Sequence, residues 1–252
     1  MMPQSRRKTE NMTHRTVKSR KTRLVSYPPR LGWISKKRAF LWMTACAVLV
    51  TTHACGPTRD RKVARSFSDD FERTNLGPNY FDTIGRYRII NGWLNIEKAY
   101  NNPLWLVRRL PKDVQVDLDV KSRTKDGDIK IEIFGDGRSF AKDRGAYVAT
   151  GYVLCMGGWN NTESFIARRF EHGRFGRKRQ DIVLRTDVKV VPDKVYHWRI
   201  IRRGGRLEWY VDGELFLSYD DRDPLSGPGH DHLGFNNWQS DLWFDNLTIK
   251  AL

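Results

Sequence analysis

From Phe67 onward the chain alternates apolar and polar residues with a period of two. In "VQVDLDV", Val114, Val116, Leu118 and Val120 fall on one face and Gln115, Asp117 and Asp119 on the other. "DIKIEIF" repeats the rule, with Ile129, Ile131 and Ile133 opposed to Asp128, Lys130 and Glu132. Successive side chains of a strand point to opposite faces, so both segments predict strands with one buried and one wet side. The block "YHWRIIRRGGRLEWYVDGELFLSYDD" predicts three strands in a meander, joined at Gly204-Gly205 and Asp212-Gly213, two favoured hairpin dipeptides. Further strands are expected over residues 86–90, 93–97, 104–109, 152–156, 164–169, 232–235 and 242–249. Helical periodicity is absent. Ten or more short strands without a helix predict an all-β domain at residues 67–252, a β-sandwich or jelly roll of two facing sheets.

Length is consistent with one such domain, since 252 residues include a leader and sandwiches commonly use about 200 residues as one unit. The formal charge of +16 suggests a nucleic-acid binder until it is divided along the chain. Residues 1–38 carry twelve Lys/Arg against one acid, Glu10, and the remaining 214 residues carry only +5. Basic and acidic side chains are interspersed there, as on an ordinary soluble surface, so no nucleic-acid partner is expected.

The basic leader ends at Lys36, Lys37 and Arg38, and sixteen uncharged, mainly apolar residues follow, 39–54. That is the length of a signal-peptide h-region and short for a membrane span. Export is the reading. Ala54-Cys55-Gly56 resembles a bacterial lipobox, in which Cys55 takes a lipid and becomes the mature terminus, although Thr52 and His53 depart from the usual residues there. "KRAFL" similarly resembles a weakened twin-arginine signal. Residues 56–66 are polar and suit a tether to the membrane. The localisation expected is the bacterial cell envelope, as a membrane-anchored lipoprotein, or secretion. With Cys46 in the h-region and Cys55 lipidated, Cys155 stands alone, so the domain has no disulfide and its core must hold it.

Four stretches are similar to the concanavalin A-like lectin/glucanase superfamily and its laminin G-like relatives. They are the opening "FSDDFE", the strand pair at Tyr87 to Leu94, the meander from Trp198 to Gly213, and the closing "FDNLTI". The resemblance implies a jelly roll with one concave sheet. That superfamily hosts lectins, glycosidases, lyases and adhesion modules, so function must be argued from the site. Its laminarinase-like members carry Glu-x-Asp-x-x-Glu or Glu-x-Asp-x-Glu on one concave strand. The nearest string here runs from Asp128 to Glu132, with Lys130 where the middle acid would stand. Retaining hydrolysis by Asp128 and Glu132 therefore departs from the pattern, because a central ammonium holds both carboxylates ionised when one must donate a proton. The resemblance also implies a structural Ca²⁺ near the opening and last strands, where Asp70 and Asp245 lie.

Two segments share a composition: "GGWNN", residues 157–161, and "GFNNW", residues 234–238. Aromatic faces stack on sugars, and amides donate and accept at once. If these strand ends meet, Trp159, Asn160, Asn161, Asn236, Asn237 and Trp238 form a glycan platform; otherwise the indoles fill the core and the amides cap turns. His230 and His232 flank Asp231 and would support the rim, with His172 as a third imidazole. Zn²⁺ on the same histidines is an alternative that lacks a ligand of diagnostic spacing. Asp220, Asp221 and Asp223 lie within four positions, an oxygen-rich loop of the kind that attracts Ca²⁺, with solvated turn carboxylates as the default reading. The basic, aromatic run at residues 168–179 suits a solvated hairpin or an anionic polysaccharide. The expectation is an exported carbohydrate-binding protein with a polysaccharide partner. A glycosidase or polysaccharide lyase on the same face and an adhesion module without glycan stand as alternatives.

Overall fold

The computed structural model describes residues 61–63, 65–141, 147–171 and 182–252. The leader, Cys55 and His172 lie outside the described residues. In chain order the strands are β1 (Arg61–Lys62), β2 (Ser66–Asp69), β3 (Tyr80–Asp82), β4 (Arg88–Ile90), β5 (Trp93–Ile96), β6 (Leu104–Leu106), β7 (Arg108–Arg109), β8 (Val114–Ser122) and β9 (Ile129–Gly135). They continue with β10 (Tyr152–Gly157), β11 (Glu163–Arg168), β12 (Ile182–Arg185), β13 (Tyr196–Arg203), β14 (Arg206–Val211), β15 (Glu214–Asp220), β16 (His232–Asn236) and β17 (Leu242–Ala251). Among the described residues the one helical segment is the four-residue turn α1, Gly158–Asn161.

Two antiparallel sheets form the sandwich. One has the order β12-β11-β10-β9-β16-β6-β3 and the other β15-β14-β13-β8-β17-β5-β4, with β2 also paired to β17. The meander β13-β14-β15 forms as its turn dipeptides require, with Trp198 opposite Val211 and Trp209 opposite Leu217. The expected strand at 104–109 divides instead. Leu104–Leu106 joins the first sheet, whereas Arg108–Arg109 pairs in parallel with β1, and Val107 between them donates to Asn79 O.

The core lies between the two apolar faces that alternation marks. Ile129, Ile131 and Ile133 of one sheet and Val116, Leu118 and Val120 of the other are fully buried. Phe235 and Phe244 join the layers with ring centroids 4.9 Å apart, and Trp198 meets Trp209 edge-on at 4.5 Å. Such pairs contribute about 0.5–1.5 kcal/mol each beyond the burial of their area. Arg202 breaks the apolar pattern. It is buried with its guanidinium 3.9 Å from the Phe134 ring centroid.

The opposite face of the β9 sheet carries Lys130, Glu132, Cys155, Trp105 and Asn236. Because β9 begins at Ile129, Asp128 stands just before the strand, and its residues alternate from there into and out of the core.

Candidate functional site

At the end of the sandwich where β9 begins, the backbone is strained. Lys98, Tyr100, Asn101, Asp128, Trp159, Asn160 and Asn161 all have positive φ, between 50° and 62°. L-residues pay about 1–2 kcal/mol for the left-handed conformation, so it persists only where surrounding contacts hold it. Seven such residues at one rim mark it out from the rest of the domain.

The first arm of this rim is the turn after β10. Gly157, Trp159, Asn160 and Asn161 have φ of 70°, 53°, 59° and 61°, a left-handed turn that no helical pattern in the sequence announces. Its pins are polar. Thr162 Oγ1 donates to Trp159 O at 2.7 Å, and Gly157 N–H donates to Ser164 Oγ at 3.1 Å. The Asn161 amide donates to Val190 O (2.8 Å) and Lys125 O (3.1 Å) and accepts from Val190 N–H (2.8 Å). The result presents the Trp159 indole, 43% exposed, at the tip.

The second arm follows β16. Asn237 is fully buried; it accepts from Ala99 N–H at 2.8 Å and donates to Ile96 O and Ser240 O. Tyr100 N–H and Asn101 N–H donate to Trp238 O and Asn237 O, both at 2.9 Å. These bonds set the Tyr100 and Trp238 rings edge to face, 5.1 Å between centroids and at 84°. Asn236 is buried and accepts from Asn237 N–H at 2.9 Å.

Both arms meet at one residue. Asp128 N–H donates to Gly157 O at 2.8 Å, while Asp128 Oδ2 accepts from Trp238 N–H at 2.7 Å. The approach is close enough that a Cβ at Gly127 would sit 2.7 Å from Gly157 O, which explains a glycine there. The two like segments of the sequence thus reach the same end of the fold. The roles within them differ from the expectation: Asn161, Asn236 and Asn237 spend their amides on backbone, and Asn160 alone of the four is exposed.

Beneath the rim, Lys130 is buried, 4% exposed, with Nζ 3.2 Å from Glu171 Oε2, 3.6 Å from Asp128 Oδ1 and 3.2 Å from Asn101 Oδ1. Burial works against its charge, but Asp128 and Glu171 outweigh burial and hold the proton more firmly than usual. Burial likewise pushes the Asp128 carboxyl up, with Lys130 opposing. Cys155 packs here as a buried thiol pushed far up by burial and the Asp128 charge, which suits a filler and not a nucleophile.

Glu132 points out of the same strand face but meets different partners. It is 1% exposed, accepting from Thr150 N–H (2.8 Å), Thr150 Oγ1 (2.9 Å), Gly151 N–H (2.7 Å) and the Tyr147 hydroxyl. Burial pushes its carboxyl up to about 7, against the pull of these donors. Asp128 and Glu132 therefore do not face one another across an open groove: the first is joined to Lys130 and Trp238, the second is covered by residues 147–151.

At the far end of β9 the histidines separate. His230 Nε2 lies 3.1 Å from Arg169 Nη2, and since a guanidinium only donates, that nitrogen accepts. His232 Nδ1 lies 2.8 Å from Asp231 Oδ1. The imidazoles face different partners, and among the described residues, which leave out His172, no three His, Cys, Asp or Glu converge as a metal site.

For Ca²⁺, Asp70 lines a polar cleft of about 340 Å³ with Asp69, Arg73, Asn79 and Asn246. Asp69 is committed to Arg73 and to the Tyr80 hydroxyl, and a guanidinium in the wall opposes a cation. Burial pushes the Asp245 carboxyl up, as do Asp119, Glu72 and Asp70, so the acids gather charge without forming a ligand set. Asp221 is taken by Tyr152 and Arg168, and Asp220 by Arg206.

Tyr100, Asn101, Glu171 and Tyr147 belong to this surface and escaped the sequence reading. A signal existed for the first two: "AYNNP", residues 99–103, repeats the aromatic-plus-paired-amide composition of the two tryptophan segments.

No protein-family model matches the sequence, and no curated protein matches it. Solved structures match in fold. The chain is similar to Crh5 transglycosylase in complex with NAG, with a TM-score of 0.56 and 10% identity over 77% of this chain and 86% of that one. It is similar to laminarinase from Flavobacterium sp. UMI-01 with a TM-score of 0.50 and 9% identity, over 73% of this chain and 99% of that one. It is also similar to a sialidase, with a TM-score of 0.50 and 12% identity, over 75% of this chain and 19% of that one. Identities this low establish a shared architecture, the two-sheet antiparallel jelly roll. On that architecture this chain carries an amide-pinned aromatic rim.

Proposed function

We propose that this chain is an exported carbohydrate-binding protein of the concanavalin A-like type, holding a polysaccharide at the rim between Trp159 and the Tyr100–Trp238 pair. The observation that carries the reading is the junction at Asp128, which draws an exposed indole on a strained turn and a second aromatic pair to one end of the fold. Aromatic faces supply stacking area for the C–H surfaces of a sugar, and Asn160 offers an amide beside one of them. Binding proceeds without covalent chemistry. In this reading the apolar stretch 39–54 directs export and Cys55 carries the lipid; intact-mass analysis of the membrane fraction tests that part.

The test of binding is affinity electrophoresis of Trp159→Ala and Trp238→Ala through polysaccharide-containing gels. Each variant is expected to lose retention by tenfold or more with an unchanged circular dichroism spectrum. Full retention by both folded variants ends the proposal.

One observation favours a second reading, glycoside hydrolysis. A carboxyl held at about 7 is poised to give up a proton at neutral pH, as the acid of a glycosidase must. Against it stands the burial of Glu132 under residues 147–151. Reducing-end release from the retained polysaccharide, abolished in Glu132→Gln, would favour the enzyme.

A further inference from the structure

We infer that Asp128 is the positioning residue of the rim, setting how its two aromatic arms are placed relative to one another and so the sugar they accept. This rests on the binding reading above, but it makes a structural claim that can fail separately. The role differs from that of the nucleophile, which the position of Asp128 in the string ending at Glu132 would otherwise suggest.

Three polar groups of Asp128 serve three segments. The main-chain N–H holds the first arm through Gly157 O at 2.8 Å. Oδ2 holds the second arm through Trp238 N–H at 2.7 Å. Oδ1 faces the strand beneath, with Lys130 Nζ at 3.6 Å and Cys155 Sγ at 3.5 Å. A carboxylate has about four acceptor sites on two oxygens, so one side chain can serve two directions at once. A nucleophile, by contrast, needs a free lone pair and an open line to the sugar carbon.

The backbone supports the same assignment. Asp128 has φ +54°, a conformation that Asp and Asn tolerate and Ala does not. That conformation aims the N–H at one arm while the side chain turns to the other. Residue type and backbone are therefore coupled: Asn keeps both the conformation and an acceptor oxygen, Gly keeps the conformation alone, and Ala keeps neither at low cost. Lys130 and Glu171, the charged groups packed below, pair with each other at 3.2 Å through atoms that none of the three substitutions removes.

The experiment is amide hydrogen exchange on the full chain, comparing wild type with Asp128→Asn, Asp128→Gly and Asp128→Ala, alongside affinity electrophoresis on soluble β-glucan, xylan and alginate. Asp128→Asn is expected to match wild type within about twofold at Trp238 and at residues 157–161. Asp128→Gly should speed exchange of the Trp238 amide at least tenfold and leave residues 157–161 protected. Asp128→Ala should release both; if it fails to fold, the Asn and Gly pair still decides. An unchanged Trp238 amide in Asp128→Gly, or a released one in Asp128→Asn, overturns the assignment. Where wild type is retained by one of the three polysaccharides, Asp128→Gly should lose that retention and Asp128→Asn should keep it. Retention unchanged in Asp128→Gly also overturns it. If wild type is retained by none, the binding proposal is the part that falls, and the exchange pattern still judges Asp128.

Discussion

Residues 157–161 and 234–238 share a composition, a tryptophan with two adjacent asparagines after a glycine, and the fold uses them in unlike ways. In the first, the asparagine next to the tryptophan stays exposed, and the pin is Asn161 at the end of a left-handed turn. In the second, the pin is Asn237 inside the protein, and the tryptophan after it lies half-buried against Tyr100. What the two share is a division of labour: an amide satisfies the backbone of a neighbouring loop, and that fixes where the adjoining tryptophan stands at the rim. What separates them is burial, which decides how much each pin is worth.

The comparison gives ordered expectations. Asn237→Ala strips partners from Ala99 N–H, Ile96 O and Ser240 O in a water-free setting, and should cost on the order of 4 kcal/mol by urea denaturation. A loss no greater than that of Asn161→Ala would break the contrast.

Glu132, four residues beyond the one that joins the arms, provides a carboxyl that holds neither. Its proton affinity in the fold is raised from the ordinary 4.5 to about 7, so the protonated form is the one the fold favours. Its contribution to stability is therefore full below pH 4.5 and is lost as the pH rises through 7, a change of about 3 kcal/mol. Urea midpoints across that window should fall in wild type and flatten in Glu132→Gln. Equal slopes would show that the donors around Glu132 outweigh its burial.

Asn161→Ala orphans groups that water can partly reach, and about 2 kcal/mol is expected from the same titration. The smallest effect has the opposite sign. Trp159→Gly relieves a left-handed non-glycine residue at an exposed position and should raise stability by about 0.5–1 kcal/mol while abolishing retention on polysaccharide. A destabilised Trp159→Gly would mean that the indole is held by packing and is not presented to solvent.

Much of the fold was legible. The alternation in β8 and β9 marked the core face residue by residue, but the polar face expected to be wet in β9 is buried as well, with Lys130 and Glu132 covered by loops; Gly204-Gly205 and Asp212-Gly213 marked the meander turns where they occur. The site was legible only in outline. The paired tryptophan segments do reach one end of the sandwich, where Asn161 and Asn237 hydrogen-bond to the backbone of neighbouring loops, a use that composition does not announce. Glu171 could not be found from sequence, since it lies forty-one positions from its partner Lys130.

Sequence alone therefore determined most of the longer strands, their core faces and the two-sheet class, because period two and turn chemistry act between neighbours in the chain, whereas short pairings such as β1, β2, β3 and β12 carry no such pattern. Tertiary structure decided that Asp128 joins the aromatic arms, that Lys130 is neutralised by Glu171, and that Glu132 is sealed beneath residues 147–151. Each of those depends on groups brought together across sheets and loops, where burial changes the cost of a charge or an unpaired amide, and no local pattern records that cost.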